Sequence, residues 1–184
     1  MEMSPTNTSL AANRHMTTLN VYSRSEDWRG RTLSNFSDHP FILNGQRFAN
    51  VEGFIQGIAF PEGDTRRDWA FQAEGREAKS LEDAAEKKNA WWNGKRIPFG
   101  SRDHHKVIEQ AIREKFRQNP DAQEALLATQ GLTLVHILPT PDPPDTCLPA
   151  SIFCEILMRV RNDLCRRHSS GHRSEENHPQ PIRG

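Results

Sequence analysis

Asn50-Val51-Glu52-Gly53-Phe54-Ile55-Gln56-Gly57-Ile58-Ala59-Phe60 is the stretch on which the reading of this chain turns. At helical spacing Val51, Phe54, Ile55 and Ile58 share one side, while Glu52 and Gln56 stand one turn apart on another. Such a helix buries one face and presents a carboxylate with an amide beside it. Gly53 and Gly57 also lie one turn apart, each costing about 1 kcal/mol of helix propensity against Ala, which predicts close approach of a neighbouring helix or a ligand. The plainer reading of the same spacing is that Glu52 complements the positive end of the helix dipole and that both glycines serve packing.

Upstream, Phe41-Ile42-Leu43, Asn44-Gly45 and Gln46-Arg47-Phe48 predict a hairpin, because Asn-Gly supplies the positive backbone angles of a type I′ turn. This ribbon delivers the chain to the Glu52 helix. Leu33-Ser34-Asn35-Phe36, ahead of the Pro40 break, reads on its own as a turn or helix cap. The charged run from Arg24 to Arg31 reads as a loop, and Leu19-Asn20-Val21-Tyr22 as a short strand. Residues 1–17 lack the apolar run of a signal peptide and are expected to form a disordered leader.

Downstream, Asp64 is placed to cap a helix from Thr65 that holds Trp69, Ala70 and Ala73 on one side, with Gly75 breaking or kinking it. Arg76 to Asn89 is dense in helix formers whose charges read as a solvated face. Trp91 and Trp92 are neighbours, so at most one is central to any pocket. They read as one core and one half-exposed indole, or as a base-stacking site. Ser101 to Gln118 predicts the most regular helix, with Val107, Ile108, Ala111, Ile112 and Phe116 as its apolar face. His104 and Lys115 project from that apolar side, where a lysine either snorkels to water or serves a pocket. Asn119-Pro120 starts the next helix, with Asn119 as cap. Leu132 to Leu138 reads as a buried strand, with His136 in the core or at the strand edge. Pro139 to Pro149 is a stiff loop carrying Asp142 and Asp145, and Ala150 to about Arg166 is the last helix. Residues 168–184 are expected to be a disordered polar tail, with His172 and His178 solvated.

The 184 residues suit one domain, over 18–167, with a tail at each end. With 24 basic and 24 acidic residues the formal charge is zero, so no global field demands nucleic acid or an anionic membrane. No segment has the length and apolarity of a membrane span. Cys147, Cys154 and Cys165 have neither zinc spacing nor the even count of a disulfide framework, which points to a cytoplasmic protein.

Leu33-Ser34-Asn35-Phe36, the run Gly45 to Glu52 with Gln56 and Phe60, and Ala111-Ile112-Arg113-Glu114-Lys115-Phe116-Arg117-Gln118-Asn119 follow one another in a specific order and spacing. With Leu126-Leu127-Ala128-Thr129 and Ile156-Leu157-Met158-Arg159-Val160-Arg161, they resemble the NADAR, or YbiA-like, N-glycosidase family over about Leu19 to Leu164. The resemblance implies an α+β fold, mainly α: a single compact domain with a small antiparallel β element. It implies a hydrolase that cleaves an N-glycosidic bond to ribose, with no metal and no other cofactor. Family members act on ribosylated pyrimidine intermediates of riboflavin synthesis or on ADP-ribose linked to nucleobases. The expected partner is therefore a small ribosylated or ADP-ribosylated substrate, with ADP-ribosylated nucleic acid as a second candidate, and no membrane.

By that resemblance the family's acidic residue falls on Glu52, its glutamine on Gln56, its Ser-Asn-Phe on Ser34, Asn35 and Phe36, and its Lys-Phe on Lys115 and Phe116. The chain also departs from the family pattern. Gly53 stands where members usually have His and Ala59 where they have Lys, and the proline-rich loop replaces an Asp-x-x-Trp-Gly segment. Breaking a ribosyl C1–N bond builds positive charge on the sugar and negative charge on the base. Glu52 is the candidate carboxylate or water-activating base, and Lys115 the candidate partner of a phosphate or of the charged base. Asn35 and Gln56 are candidates to orient ribose hydroxyls, and Trp92 or Phe36 to stack the base. Ser34 and His104 complete the binding set, and Asp145 or Asp142 is expected to approach the same cleft in place of the missing acidic segment. Two other readings fit the same residues: a module that binds ADP-ribose or a nucleotide without turnover, and an interaction protein that uses the fold alone.

Overall fold

Two Asn-Gly pairs fold two hairpins. Asn44 (φ 52°) and Gly45 (φ 79°) turn β2 (Phe41–Leu43) back into β3 (Gln46–Phe48), as predicted. Asn93 (φ 51°) and Gly94 (φ 70°) do the same between β4 (Asn89–Trp92) and β5 (Lys95–Pro98), a second hairpin with the same turn chemistry. A third pair is parallel: β1 (Thr18–Asn20) lies beside β6 (Thr133–Val135), with Leu19 opposite Leu134. The computed structural model describes residues 17–140 and 143–175, with side chains as far as residue 167. The expected leader up to residue 16, Asp142, and the side chains of His172 and His178 lie outside the described residues.

The helices follow their caps. The loop expected over Arg24 to Arg31 is instead half helical, because Asp27 caps α1 (Trp28–Leu33) by accepting from the Arg29 backbone N–H at 2.8 Å. Asn50 caps α2 (Val51–Ile58): its Oδ1 accepts from Gly53 N at 2.7 Å, and its Nδ2 donates to Ala73 O at 2.9 Å. Asp64 caps α3 (Thr65–Gln72) as predicted. The charged run after it holds only α4 (Gly75–Lys79) and one 3-10 turn, Glu82–Ala84. Ser101 caps α5 (Arg102–Gln118). α6 (Pro120–Leu127) starts where predicted, but the Asn119 side chain does not cap it; its amide donates to Pro40 O at 2.9 Å and Lys115 O at 2.8 Å. α7 (Ala150–Glu175) continues past its expected end near Arg166, so the backbone of 168–175 is helix rather than tail.

Gly53 and Gly57 are explained by α3. A Cβ on Gly53 would stand 2.4 Å from Ala70 O, and one on Gly57 2.3 Å from a ring carbon of Phe71. The close neighbour anticipated from the sequence is thus a helix, α3. It also follows that a side chain at position 53, such as the His of the NADAR pattern, has no room while α3 packs here. Gly53→Ala is expected to lower stability by about 1–3 kcal/mol, since the clash with a backbone carbonyl outweighs the roughly 1 kcal/mol gained in helix propensity. Denaturant unfolding checks this; an unchanged or raised midpoint contradicts it.

One aromatic cluster binds these elements into a single core. The Phe48 ring lies 5.3 Å from Phe41, 5.0 Å from Phe54 and 4.7 Å from Phe71, and Trp92 meets Phe54 edge-on at 5.0 Å. Offset and edge-to-face pairs of this kind add to the area they bury. Val107, Ile108, Ile112 and Phe116 of α5 and Phe153, Ile156 and Leu157 of α7 complete the core. The result is an α+β domain, mainly α, with small β pairs at its margins. Among the described residues no helix is long and apolar enough to cross a membrane. Because α2 gives Val51, Phe54 and Ile58 to the core, Glu52 and Gln56 are left on its far side, where a cleft opens.

Candidate functional site

The cleft has a volume of about 450 Å³. Its floor is Glu52, Ile55 and Gln56 of α2, and its walls are the Ser34-Asn35-Phe36 turn, Arg76 and Lys79 of α4, Tyr22 to Arg24, His136, and the two ends of the proline loop. Close packing brings these pieces together. Glu52 N donates to Asn35 O at 3.0 Å, which seats the turn on the first turn of α2. A Cβ on Gly75 would meet Phe36 Cα at 2.9 Å, so the bare backbone at the start of α4 lets that helix abut the turn. Arg76 and Lys79, three residues apart on α4, then both reach the cleft.

Glu52 is 5% exposed. Gln56 Nε2 donates to Glu52 Oε1 at 2.9 Å, and Lys79 Nζ lies 3.8 Å from the same oxygen and 2.9 Å from Glu82 Oε1. Partial burial pulls the Lys79 ammonium downward, but the carboxylates of Glu52 and Glu82 outweigh it and hold it above the ordinary lysine value. Lys79 is therefore a cation at neutral pH, set against a carboxylate of fixed orientation. Cys147 lies near the same group: burial, then the Glu52 charge, pushes its thiol up to about 12, which excludes a thiolate nucleophile at neutral pH.

Lys115 is also buried, at 1% exposure, but on the other side of the turn. Its Nζ donates to Thr32 O at 2.7 Å, Ser34 O at 2.8 Å and Ser37 Oγ at 2.6 Å. Burial drives its pKa down to about 7, with Asp121 pulling the other way. Glu52 and Lys115 thus flank one turn, Glu52 from the cleft and Lys115 from behind. The direct phosphate or base contact expected of Lys115 is corrected: an ammonium enclosed by three acceptors does not line the cleft and holds the turn that does.

Three further expected residues stand apart from the cleft. Trp92 is in the aromatic core, as one of the two sequence readings has it, while Trp91 beside it is half-buried. His104 is 1% exposed beside Phe99, and its Nδ1 accepts from Gly100 N at 3.0 Å. Burial and then neighbouring His105 hold its pKa down to about 4, so it is neutral. Asp145 is turned outward, with Lys87 Nζ at 3.4 Å, while its neighbours Thr146 and Cys147 face the cleft. Ser34, Asn35, Phe36, Glu52 and Gln56 come together in it. Sequence reasoning missed Arg24, Arg76, Lys79 and Tyr22 as cleft residues and placed His136 in the strand rather than in the wall. The available signal was the Arg76–Lys79 spacing just after Gly75, hidden in a run of like composition.

Comparison with known proteins places this architecture. The NMR structure of the E. coli protein YbiA superposes with a TM-score of 0.61 at 21% identity, covering 91% of this chain and 92% of that one, so the fold is YbiA-like. A protein of Enterobacteria phage T4, described as an uncharacterized 17.1 kDa protein in the Gp30-rIII intergenic region, is 30% identical over 148 residues, 74% of this chain and 93% of the relative. The family profile described as bacteriophage protein GP30.3 matches residues 27–162, which run from the cap of α1 well into α7. Most of the cleft and of the elements that build the core fall within that span, and the chain belongs to the bacteriophage protein GP30.3 family.

Proposed function

We propose that the cleft hydrolyses the C1–N bond of a ribosylated or ADP-ribosylated nucleobase or pyrimidine intermediate, in the cytoplasm. The observation that carries this reading is Glu52 itself: a buried carboxylate at the foot of a cleft, oriented by Gln56 at 2.9 Å and faced by the Lys79 ammonium at 3.8 Å. A carboxylate fixed before the reaction begins is suited to oppose charge that develops only at the transition state. As the C1–N bond lengthens, the electron pair stays with the base and C1 becomes oxocarbenium-like. Glu52 faces that charge and takes the proton of the water that bonds to C1. Lys79, a cation 3.8 Å from the same carboxylate, stands beside it in the cleft. Asn35, Gln56 and Phe36 line the same cleft, and in this reading the first two meet ribose hydroxyls while the Phe36 ring meets the base.

The cations Arg24 and Arg76 in the same walls suit a phosphate-bearing substrate. Arg76→Ala is expected to raise KM for a phosphorylated ribosyl substrate about tenfold, with a smaller change for the unphosphorylated nucleoside. Equal effects on both would remove Arg76 from phosphate recognition. The reading as a whole is tested by incubating the full chain with ribosylated pyrimidine and ADP-ribosylated guanine substrates and following free base by chromatography. Base release supports it. Stabilisation by ADP-ribose in a thermal shift with no base released would replace it with a binding module, a reading that the Gly53 and Ala59 departures favour.

A further inference from the structure

With Lys115 behind the turn, the N-glycosidase reading leaves one chemical task without a residue: the departing base needs a proton. His136 stands in the cleft wall. The residue follows β6, and hydrogen bonds hold the chain on both sides of it, one from the backbone and two from a side chain. Val21 N donates to Val135 O at 2.8 Å, Ile137 N donates to Asn20 Oδ1 at 2.9 Å, and Asn20 Nδ2 returns a bond to Ile137 O at 2.9 Å. Position 136 is thus pinned between two anchored neighbours. Its ring is pinned as well. His136 Nδ1 lies 2.6 Å from Val21 O, and the ring meets Phe153 of α7 edge-on, centroids 5.4 Å apart at 85°.

A backbone carbonyl only accepts hydrogen bonds, so Nδ1 is the donor in that contact whatever the charge of the ring. The assignment fixes the chemistry of the other nitrogen: Nε2 is the remaining polar atom of a ring whose residue lines the cleft.

We infer that His136 is the general acid of this site, protonating through Nε2 the nitrogen that leaves C1. The inference rests on the N-glycosidase reading above and assigns its second proton transfer. The C1–N bond breaks with its electron pair on the base nitrogen, and the Nε2 proton moves to that nitrogen. Water oxygen bonds to C1 and its proton passes to the Glu52 carboxylate. Solvent then carries a proton from Glu52 to the neutral imidazole, which restores both groups.

The test compares two leaving groups. 4-Nitrophenyl riboside departs as a stable phenolate and needs no acid, whereas an N-riboside does. His136→Asn keeps an amide N–H near the Nδ1 position for Val21 O and removes Nε2. It is expected to lower kcat on the N-riboside by about a hundredfold to a thousandfold and to change the nitrophenyl substrate less than about threefold. Retained nitrophenyl turnover reports that the variant is folded and its Glu52 is in place. Equal losses on both substrates, or no loss on either, overturn the assignment. The wild-type chain supplies an independent readout. Its pH profile is expected to fall on the basic side for the N-riboside and to stay flat there for the nitrophenyl compound. Tyr22, Arg24, Glu52, Arg76, Lys79 and Cys147 share the cleft, so a basic limb common to both substrates belongs to one of them and counts against His136. If wild type cleaves neither substrate, the N-glycosidase reading itself fails and the assignment falls with it.

Discussion

Glu52→Gln is expected to lower turnover of a ribosylated substrate by about a thousandfold or more while leaving fold and ligand binding nearly intact. The amide keeps the volume of the side chain and can still accept from Gln56 Nε2, which now reaches Glu52 Oε1 at 2.9 Å. What it loses is the charge. Removing a preorganised group that opposes transition-state charge costs several kcal/mol, which is three or more powers of ten in rate. The loss therefore belongs in kcat. The Lys79 ammonium 3.8 Å away keeps Glu82 as a partner in the variant, so the substitution leaves no isolated cation. A defect confined to KM would mean that Glu52 serves only ground-state binding.

The second large effect is on stability. Lys115→Met keeps the unbranched stem in a site that is 1% exposed but leaves Thr32 O, Ser34 O and Ser37 Oγ without the donor they share. The Ser37 hydroxyl still bonds toward the two carbonyls, which limits the damage. An expected cost of about 2–4 kcal/mol follows from the loss of three bonds to a charged group, offset by the relief of its burial. Loosening the turn that carries Asn35 and Phe36 is also expected to raise KM for a ribosylated substrate.

A pH signature separates this role from plain packing. Lys115 titrates near 7 in the folded chain against an ordinary lysine value of 10.5, so the folded state gives up its proton first. Between those two values the unfolded chain binds more protons, and wild-type stability rises with pH. The contribution is lost as pH falls through about 7. Denaturation from pH 6.5 to 9 should show this rise in wild type and not in Lys115→Met; parallel curves would contradict it.

Local rules carried the sequence reading furthest where one residue pair decides a conformation. Asn44-Gly45 specified its hairpin outright, and Asp64 and Ser101 their helix starts. The same rule applied at Asn93-Gly94 yields the second hairpin, but two adjacent indoles drew the reading toward a pocket. The pairing of Glu52 with Gln56 was legible because both ends of their hydrogen bond lie on one helix. Lys115 was legible only as an anomaly on an apolar face. Its acceptors are on a turn some eighty residues upstream, and two of them are backbone carbonyls, which no side-chain pattern announces. Lys79 was invisible for the opposite reason. In a run of Arg, Glu and Lys nothing local distinguishes the cation that Gly75 and Phe36 bring to the cleft from those left in solvent. His136 fell between two rules: as one residue of an apolar strand it reads as core, and only its bond to Val21, 115 residues away, turns the ring into a wall of the site.

The central claim is that this cleft breaks a ribosyl C1–N bond with Glu52. The most direct measurement incubates wild type and Glu52→Gln with a ribosylated pyrimidine and quantifies free base and reducing sugar in the same samples. The account predicts equal amounts of the two products from wild type and neither from Glu52→Gln. Base release that survives the substitution at an undiminished rate would contradict it.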